Sequence, residues 1–576
     1  MGAPNAQTPI AANQSPATFA ADFNSPSCTN DYLVMPINIA GGGNANLIGV
    51  NQLYSNSAKS GFCNTVTGPT VLFAYQTGTG GGANATSVGL SLDGTKIVWV
   101  ENSNPATLHV LAWKNEGTVA APIDLTTRTT TGVPAAGSGN VANVTLSGRV
   151  TNSSPFVDYD NDRLYIGDDS GNLYRVDNVF CTTAACIASP VAPSLNTSWG
   201  GTGHVNLAAT VLTSPVLDFV TGYIFVGGAN GNLYVQNSAD GTSVTGSPVA
   251  VGNANQGGIV DGPIVDGTGA NGNVLVYAFA GDDTGVSGAL NAAVAVQIQV
   301  NQANGALGSV TRQNIGRANR QPIHLGALND AYYTGVGTAR LYACGVSAGG
   351  GSRHLFRIPF SGADMVIGAP IDLGTLGGGN QSCSPLTEFN NGTSDRLFLT
   401  MGTTRVLKDY QITNDLTSST CPNGTTCIQQ STNTGAATDL TSGTIIDNGA
   451  TGTAQGANIY FGVAANGNIT NGSCWTGTGT GATALAMSGT SSRSGNTGTI
   501  NVGKAHGLAI GEIVAVAGAS AGTNPAAMDG NCTVATTPTT TSFTCTYTNS
   551  ATSSGVTGGN VQKGTCTFKL TQNTLN

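Results

Sequence analysis

The chain is 576 residues long, 82 of them glycine, and only 9% of it is charged, against about 25% in ordinary soluble proteins. With 20 Lys and Arg against 29 Asp and Glu, the net charge is −9, which argues against nucleic acid as a partner because that needs clustered cations. No apolar run reaches the roughly 20 residues of a membrane-spanning helix, the glycines lack collagen's strict period, and the 40% of hydrophobic residues fall in short patterned runs that predict an all-β fold rather than disorder.

Residues 1–15 include Pro4 and Pro9 and show no core pattern, so they read as an N-terminal arm. A unit then recurs at roughly 60-residue intervals. Ser25-Pro26 precedes the apolar run 32–35, and Leu90-Ser91-Leu92-Asp93 precedes 97–100. The next copy is Ser154-Pro155-Phe156-Val157-Asp158, followed by 163–167 and 171–175. The clearest is Ser214-Pro215-Val216-Leu217-Asp218, followed by 223–227 and 231–235. Gly262-Pro263-Ile264-Val265-Asp266 leads to 274–278 and 294–298, and 340–344 precedes 354–358. Ser384-Pro385-Leu386-Thr387-Glu388 leads to 396–400, and 444–447 leads to 458–462. Three or four short apolar runs separated by turn residues are the signature of an antiparallel meander. The first run of each unit is small at its start, as strands crowded at a common axis require. The second is apolar at consecutive positions, as expected when both faces are covered.

These units resemble the β-propeller superfamily, most closely the irregular repeats of bacterial quinoprotein-like propellers. The resemblance implies eight blades, or seven if the first unit belongs to the closure. It covers 16–474 and is completed by 566–576, where 566–570 would add a third strand to the last blade. The run Pro16 to Asp22 is expected to supply that blade's outer strand and lock the ring. Residues 475–565 interrupt the last blade. Their order, His506-Gly507-Leu508, then 513–518, then Asp529-Gly530-Asn531 and Ser542-Phe543-Thr544, resembles small β-domains of phage tail fibres and bacterial surface proteins. That implies an accessory module for contact or assembly.

Twelve cysteines occur, none at zinc-ligand or haem-attachment spacing. Their positions suggest Cys181 with Cys186, Cys421 with Cys427, Cys532 with Cys545, and Cys474 with Cys566. Cys28 with Cys63 and Cys344 with Cys383 complete one of many connectivities, among which spacing does not choose. Disulfides place the protein outside the cytosol, secreted or on a cell surface. The first residues lack the basic and apolar segments of a signal peptide, so the sequence reads as a mature form.

Chemistry is sparse. The five histidines, His109, His204, His324, His354 and His506, are scattered singly and read as structural. No GxSxG elbow, HExxH helix or phosphate-binding loop is present. The run Asp158 to Asp162 and the pairs Asp168-Asp169 and Asp282-Asp283 read as polar turns, at which calcium would at most stabilise. Quinone-dependent dehydrogenases share the propeller shape, but their Trp docking motif and vicinal Cys pair are absent. No catalytic residue, cofactor site or metal site is assigned. The expectation is a non-catalytic extracellular structural or adhesive protein, a self-assembling subunit of a surface filament or layer. The alternatives are a glycan-binding propeller lectin, with Trp199 and Trp475 as candidate loop residues, and a secreted enzyme using quinone or paired carboxylates.

Overall fold

The computed structural model describes residues 14–571 apart from several breaks, the longest being 56–61, 78–83, 414–426, 432–442, 448–457, 463–484 and 503–512. The chain is all-β and propeller-like, with mainly antiparallel sheets that follow one another in sequence order, the fifth and sixth units being joined in one nine-stranded sheet by a parallel contact of Gly316 with Val346. The third sheet orders Phe156–Asp158, Arg163–Gly167 and Asn172–Asp177, with Val157 opposite Leu164 and Ile166 opposite Tyr174. The fourth repeats it with Val216–Asp218, Tyr223–Gly227 and Asn232–Asn237. Tyr223–Gly227 is buried at every position. A strand buried on both faces needs no polar alternation, which is why its sequence is continuously apolar.

The core lies between sheets. Leu164, Ile166 and Tyr174 of the third sheet pack on Val98, Val100 and Leu108 of the second, while Tyr165 and Leu173 face Ile224 and Val226 of the fourth. Phe225 and Val235 meet Val276 and Val296 of the next sheet. The series returns on itself, because Tyr460 from the last sheet packs among Leu33, Met35, Ile48 and Val50 of the first.

The first strand of each sheet is short, and these strands lie side by side. Their starting residues are linked by hydrogen bonds from sheet to sheet. Ser15 N–H donates to Ser87 Oγ (2.8 Å), Ser87 N–H to Ser154 Oγ (3.0 Å), and Ser154 N–H to Ser214 Oγ (2.8 Å). Gly262 takes the serine position in the fifth unit, where a Cβ would stand 2.7 Å from Ser214 O. Leu386 N–H then donates to Leu325 O (2.9 Å), and Thr387 Oγ1 donates to Thr444 O (3.0 Å). The serine at this position, followed by Pro155 and Pro215 in the third and fourth units and by Val88 in the second, thus supplies a belt of side-chain acceptors. The Asp ending each run caps the following turn: Asp158 accepts from Asn161 N–H (3.2 Å) and Asp218 from Thr221 N–H (3.0 Å). Changing Ser214 to Ala removes the side-chain acceptor of the Ser154 N–H, and the expected loss is about 1–2 kcal/mol, read as a lower urea midpoint.

The expected role of the Pro16 to Asp22 run is corrected. Ala17–Phe19 is the first strand of the first sheet and pairs with Tyr32–Pro36, Ala17 opposite Val34; it is no outer strand of the last. Phe19 packs on Tyr32 with ring centroids 5.3 Å apart, and Ser15, not Ser25, occupies the belt position. The same strand also contacts Ile445–Asp447 of the last sheet.

That last sheet orders Ile445–Asp447, Asn458–Gly462 and Thr567–Thr571. Between its second and third strands the chain forms a separate six-stranded sheet from Leu485–Ala486 to Gly558–Lys563. This sheet has its own core of Ile500, Val514, Met528, Phe543 and Tyr547. His506 and its neighbours lie outside the described residues.

Four disulfides are formed among the described residues: Cys28–Cys63, Cys181–Cys186, Cys344–Cys383 and Cys532–Cys545. The last joins neighbouring strands, where Val534 faces Cys545. Cys421, Cys474 and Cys566 lie outside the described residues, and with them the expected pairings of Cys421 with Cys427 and of Cys474 with Cys566.

Candidate functional site

The turns that follow the first strands gather at one mouth of the fold. Asn329 caps the short helix Asp330–Thr334, and its side chain ties the two ends of the 329–340 loop together. Its Nδ2 donates to Thr338 O (2.9 Å) and its Oδ1 accepts from Arg340 N–H (2.8 Å). The helix leans on Thr387–Asn390, the first strand of the seventh unit. Tyr332 reaches back from it to donate its hydroxyl to Asp266 Oδ2 (2.8 Å), and Tyr277 hydroxyl lies 2.8 Å from that of Tyr332. Burial raises the phenols of Tyr332 and Tyr277 well above the usual range.

Beside this helix sit two carboxyl groups, Glu388 on Thr387–Asn390 and Asp395 at the head of Asp395–Met401. Their hairpin register, with Asn390 opposite Asp395 and Glu388 opposite Leu397, brings the side chains together. Asp395 is 5% exposed, and its Oδ2 accepts from Asp330 N–H (3.0 Å). Burial pushes Glu388 up to about 9, reinforced by its hydrogen bond to Asp395 and by the charges of Asp395 and Asp330. Asp395 is raised as well, by burial, with the Glu388 hydrogen bond opposing. Two buried carboxylates in contact cannot both ionise, so the pair keeps one proton near neutral pH. A cleft of about 370 Å³ opens over Asp395, lined by Asn329, Asp330, Thr338, Asn390 and Thr413 among others. It presents hydrogen-bond donors and acceptors together with the carboxyl groups of Asp330 and Asp395.

The folded-state value of Glu388 lies above its ordinary 4.5. Its contribution to stability is therefore complete below about pH 4.5 and is lost as pH rises through about 9. Glu388→Gln removes that decline. Unfolding midpoints of variant and wild type measured from pH 5 to 10 should run together at the acid end, and the variant should be the more stable above neutrality.

The other candidate residues are placed as follows. His109 bonds Glu101 (3.0 Å) and Asn143 (2.8 Å), His324 bonds Asp261 (3.0 Å), and His354 bonds Asp372 (2.8 Å). His204 pairs opposite Tyr174 in the third sheet. Asp162 accepts from Phe180 N–H (2.7 Å), Asp168 from Asn172 N–H (2.9 Å), and Asp283 from Ala292 N–H (2.9 Å). These carboxylates are occupied by backbone donors. Among the described residues no group of three His, Cys, Asp or Glu side chains is placed to hold a metal ion. Trp199, expected as a surface loop residue, is instead buried: it packs near Tyr165, and its Nε1 donates to Ser238 O (3.1 Å). Trp475 lies outside the described residues. The Glu388–Asp395 pair was not singled out from sequence, although a signal exists. Glu388 stands where the better repeats carry Asp158 and Asp218.

No protein-family model and no curated protein matches the chain. Solved structures do resemble it. A putative 6-phosphogluconolactonase from Bacteroides fragilis NCTC 9343 is 13% identical, covering 70% of this chain and 97% of that one, with a TM-score of 0.40. BamB from Moraxella catarrhalis is 12% identical over 78% and 97%, with a TM-score of 0.34. The WD40 domain of Toxoplasma gondii coronin is 12% identical over 68% and 85%, also at 0.34. These are β-propeller-like chains, and at such distances they assign no activity to this one.

Proposed function

We propose that the chain is an extracellular structural protein, the self-assembling subunit of a surface filament or layer. Its body is an eight-bladed propeller, closed where Ala17–Phe19 meets Ile445–Asp447, with the 485–563 sheet as an accessory domain inserted in the last blade. The observation that carries this reading is the mouth where the first strands end. There the turn residues Leu92, Phe219, Val220, Tyr333 and Val336 all stand exposed, on a chain whose low charge supplies little repulsion between copies. Four disulfides fit an oxidising compartment. Negative-stain electron microscopy of material shed from the producing cells, with peptide mass spectrometry of the particles, tests it. Regular filaments or sheets made of this chain are expected, and isolated rings would overturn the reading.

A second reading is glycan binding at the same mouth. It is favoured by the exposed ring of Tyr333 beside a cleft lined with Asn329, Asp330, Thr338 and Asn390. Aromatic faces and paired polar groups suit a sugar ring. Calorimetric titration with oligosaccharides tests it, and Tyr333→Ala should abolish any heat of binding.

A further inference from the structure

The two mouths of the fold differ in what they offer. At the mouth where the first strands begin, Gln14 is 1% exposed and donates from Nε2 to Asn84 O, and Ser15 N–H is fixed on Ser87 Oγ. The chain preceding residue 14 therefore leaves from a rigid point on that side. At the other mouth the first strands end in apolar turns. Leu92 is 72% exposed, Val220 65%, Tyr333 60% and Val336 78%.

These turns form one continuous rim. Tyr159 hydroxyl donates to Leu90 O (2.8 Å), tying the third turn to the second, and the Phe156 and Phe219 rings are 6.1 Å apart, tying the third unit to the fourth. Val220 lies against Gly267 in the fifth turn, and Tyr332, bonded to Asp266, touches Tyr333 with ring centroids 5.1 Å apart.

We propose that this apolar mouth receives the segment preceding Gln14 of a second copy, so that copies stack head to tail; the inference rests on the self-assembly reading above. Residues 1–13 contain Met1, Ile10 and several alanines, and no charged side chain, which suits a rim of Leu, Val and aromatic groups. Extended, they reach roughly 40 Å, enough to pass from one mouth into the next copy. Donor and acceptor lie on opposite sides of the same chain. The contact is therefore heterologous, each copy added exposes a new acceptor, and growth continues as an open file.

Two variants of the full chain test it by sedimentation: one lacking residues 2–13, and one carrying Leu92→Asp with Val220→Asp. Both positions are exposed, so the wild-type melting curve should persist; Leu92→Ser with Val220→Ser replaces the pair should it not. Each variant alone is expected to remain monomeric at concentrations where the wild type polymerises. Mixed in equal amounts, the truncated chain offers an acceptor and the substituted chain a donor, so discrete dimers and nothing longer should form. A labelled peptide of residues 1–13 should bind the truncated chain one to one, and the Asp substitutions introduced into it should weaken that binding at least tenfold. If the wild type polymerises but the mixture yields no dimer, the proposed contact is wrong and the self-assembly reading stands on another. Peptide binding without dimers would mean that the segment folds into its own mouth, which also overturns the stacking. A wild type that stays monomeric overturns both.

Discussion

Replacing Asp409 with Ala should lower the unfolding free energy by about 3–5 kcal/mol, among the largest single effects this fold offers. Arg396 on Asp395–Met401 and Asp409 on Val406–Gln411 lie diagonally across one strand pair, since Phe398 faces Asp409 and Arg396 faces Gln411. Guanidinium and carboxylate meet in a two-pronged bond, Nε to Oδ1 at 3.0 Å and Nη2 to Oδ2, with side chains 7% and 0% exposed. Without the carboxylate, the guanidinium of Arg396 is left buried with its counter-ion removed. Replacing both, Arg396→Met with Asp409→Leu, removes charge and partner together and should recover stability to within about 1–2 kcal/mol of wild type. Urea midpoints of the single and double variants decide this. A single variant within about 1 kcal/mol of wild type would mean that the pair is hydrated.

Gly171→Ala should cost about 2–4 kcal/mol through the backbone rather than through lost contacts. Gly171 turns the chain between two strands of the third sheet at φ +88°, and a Cβ there would lie 1.4 Å from Ala208 O. The carbonyl cannot simply withdraw, because Leu207 N–H donates to Gly171 O (2.9 Å) and holds that segment in place. Gly137 separates the two causes. It has φ +69° but nothing within 4 Å of a Cβ, so Gly137→Ala should lose only the left-handed penalty of about 1–2 kcal/mol. Thermal melts of the two variants should differ accordingly.

Much of the architecture was legible because it repeats. Phe156–Asp158 and Val216–Asp218 share Ser-Pro ahead of them and Asp at their ends. One physical task, starting a crowded axial strand and capping its turn, selects the same residues each time. The first unit misled for the same reason. Ser15-Pro16 and Ser25-Pro26 look equally apt as text, and the hydrogen bond to Ser87 Oγ and the pairing of Ala17–Phe19 separate them. Trp199 could not be placed, because its burial depends on Tyr165 and on the carbonyl of Ser238 from the next unit. The carboxyl pair was half visible. In the third unit Asp158 and Asp162 each find separate backbone donors. In the seventh, Glu388 replaces the first of them with a side chain one methylene longer, and it meets Asp395 instead. The substitution is in the sequence; the meeting depends on hairpin register and burial.

The six-stranded sheet between Asn458–Gly462 and Thr567–Thr571 has a kinetic consequence. Unfolded, the 104 residues from 463 to 566 would form a long loop to be closed before the last strand could pair. The sheet brings its own ends together, since Leu485 pairs with Val561, and so cuts the length to be closed to roughly a quarter, two halvings worth about 1.2 kcal/mol of closure entropy. If it folds first, it acts as a clip that hands Thr567–Thr571 to its partner. That strand would then arrive already tethered close to its place.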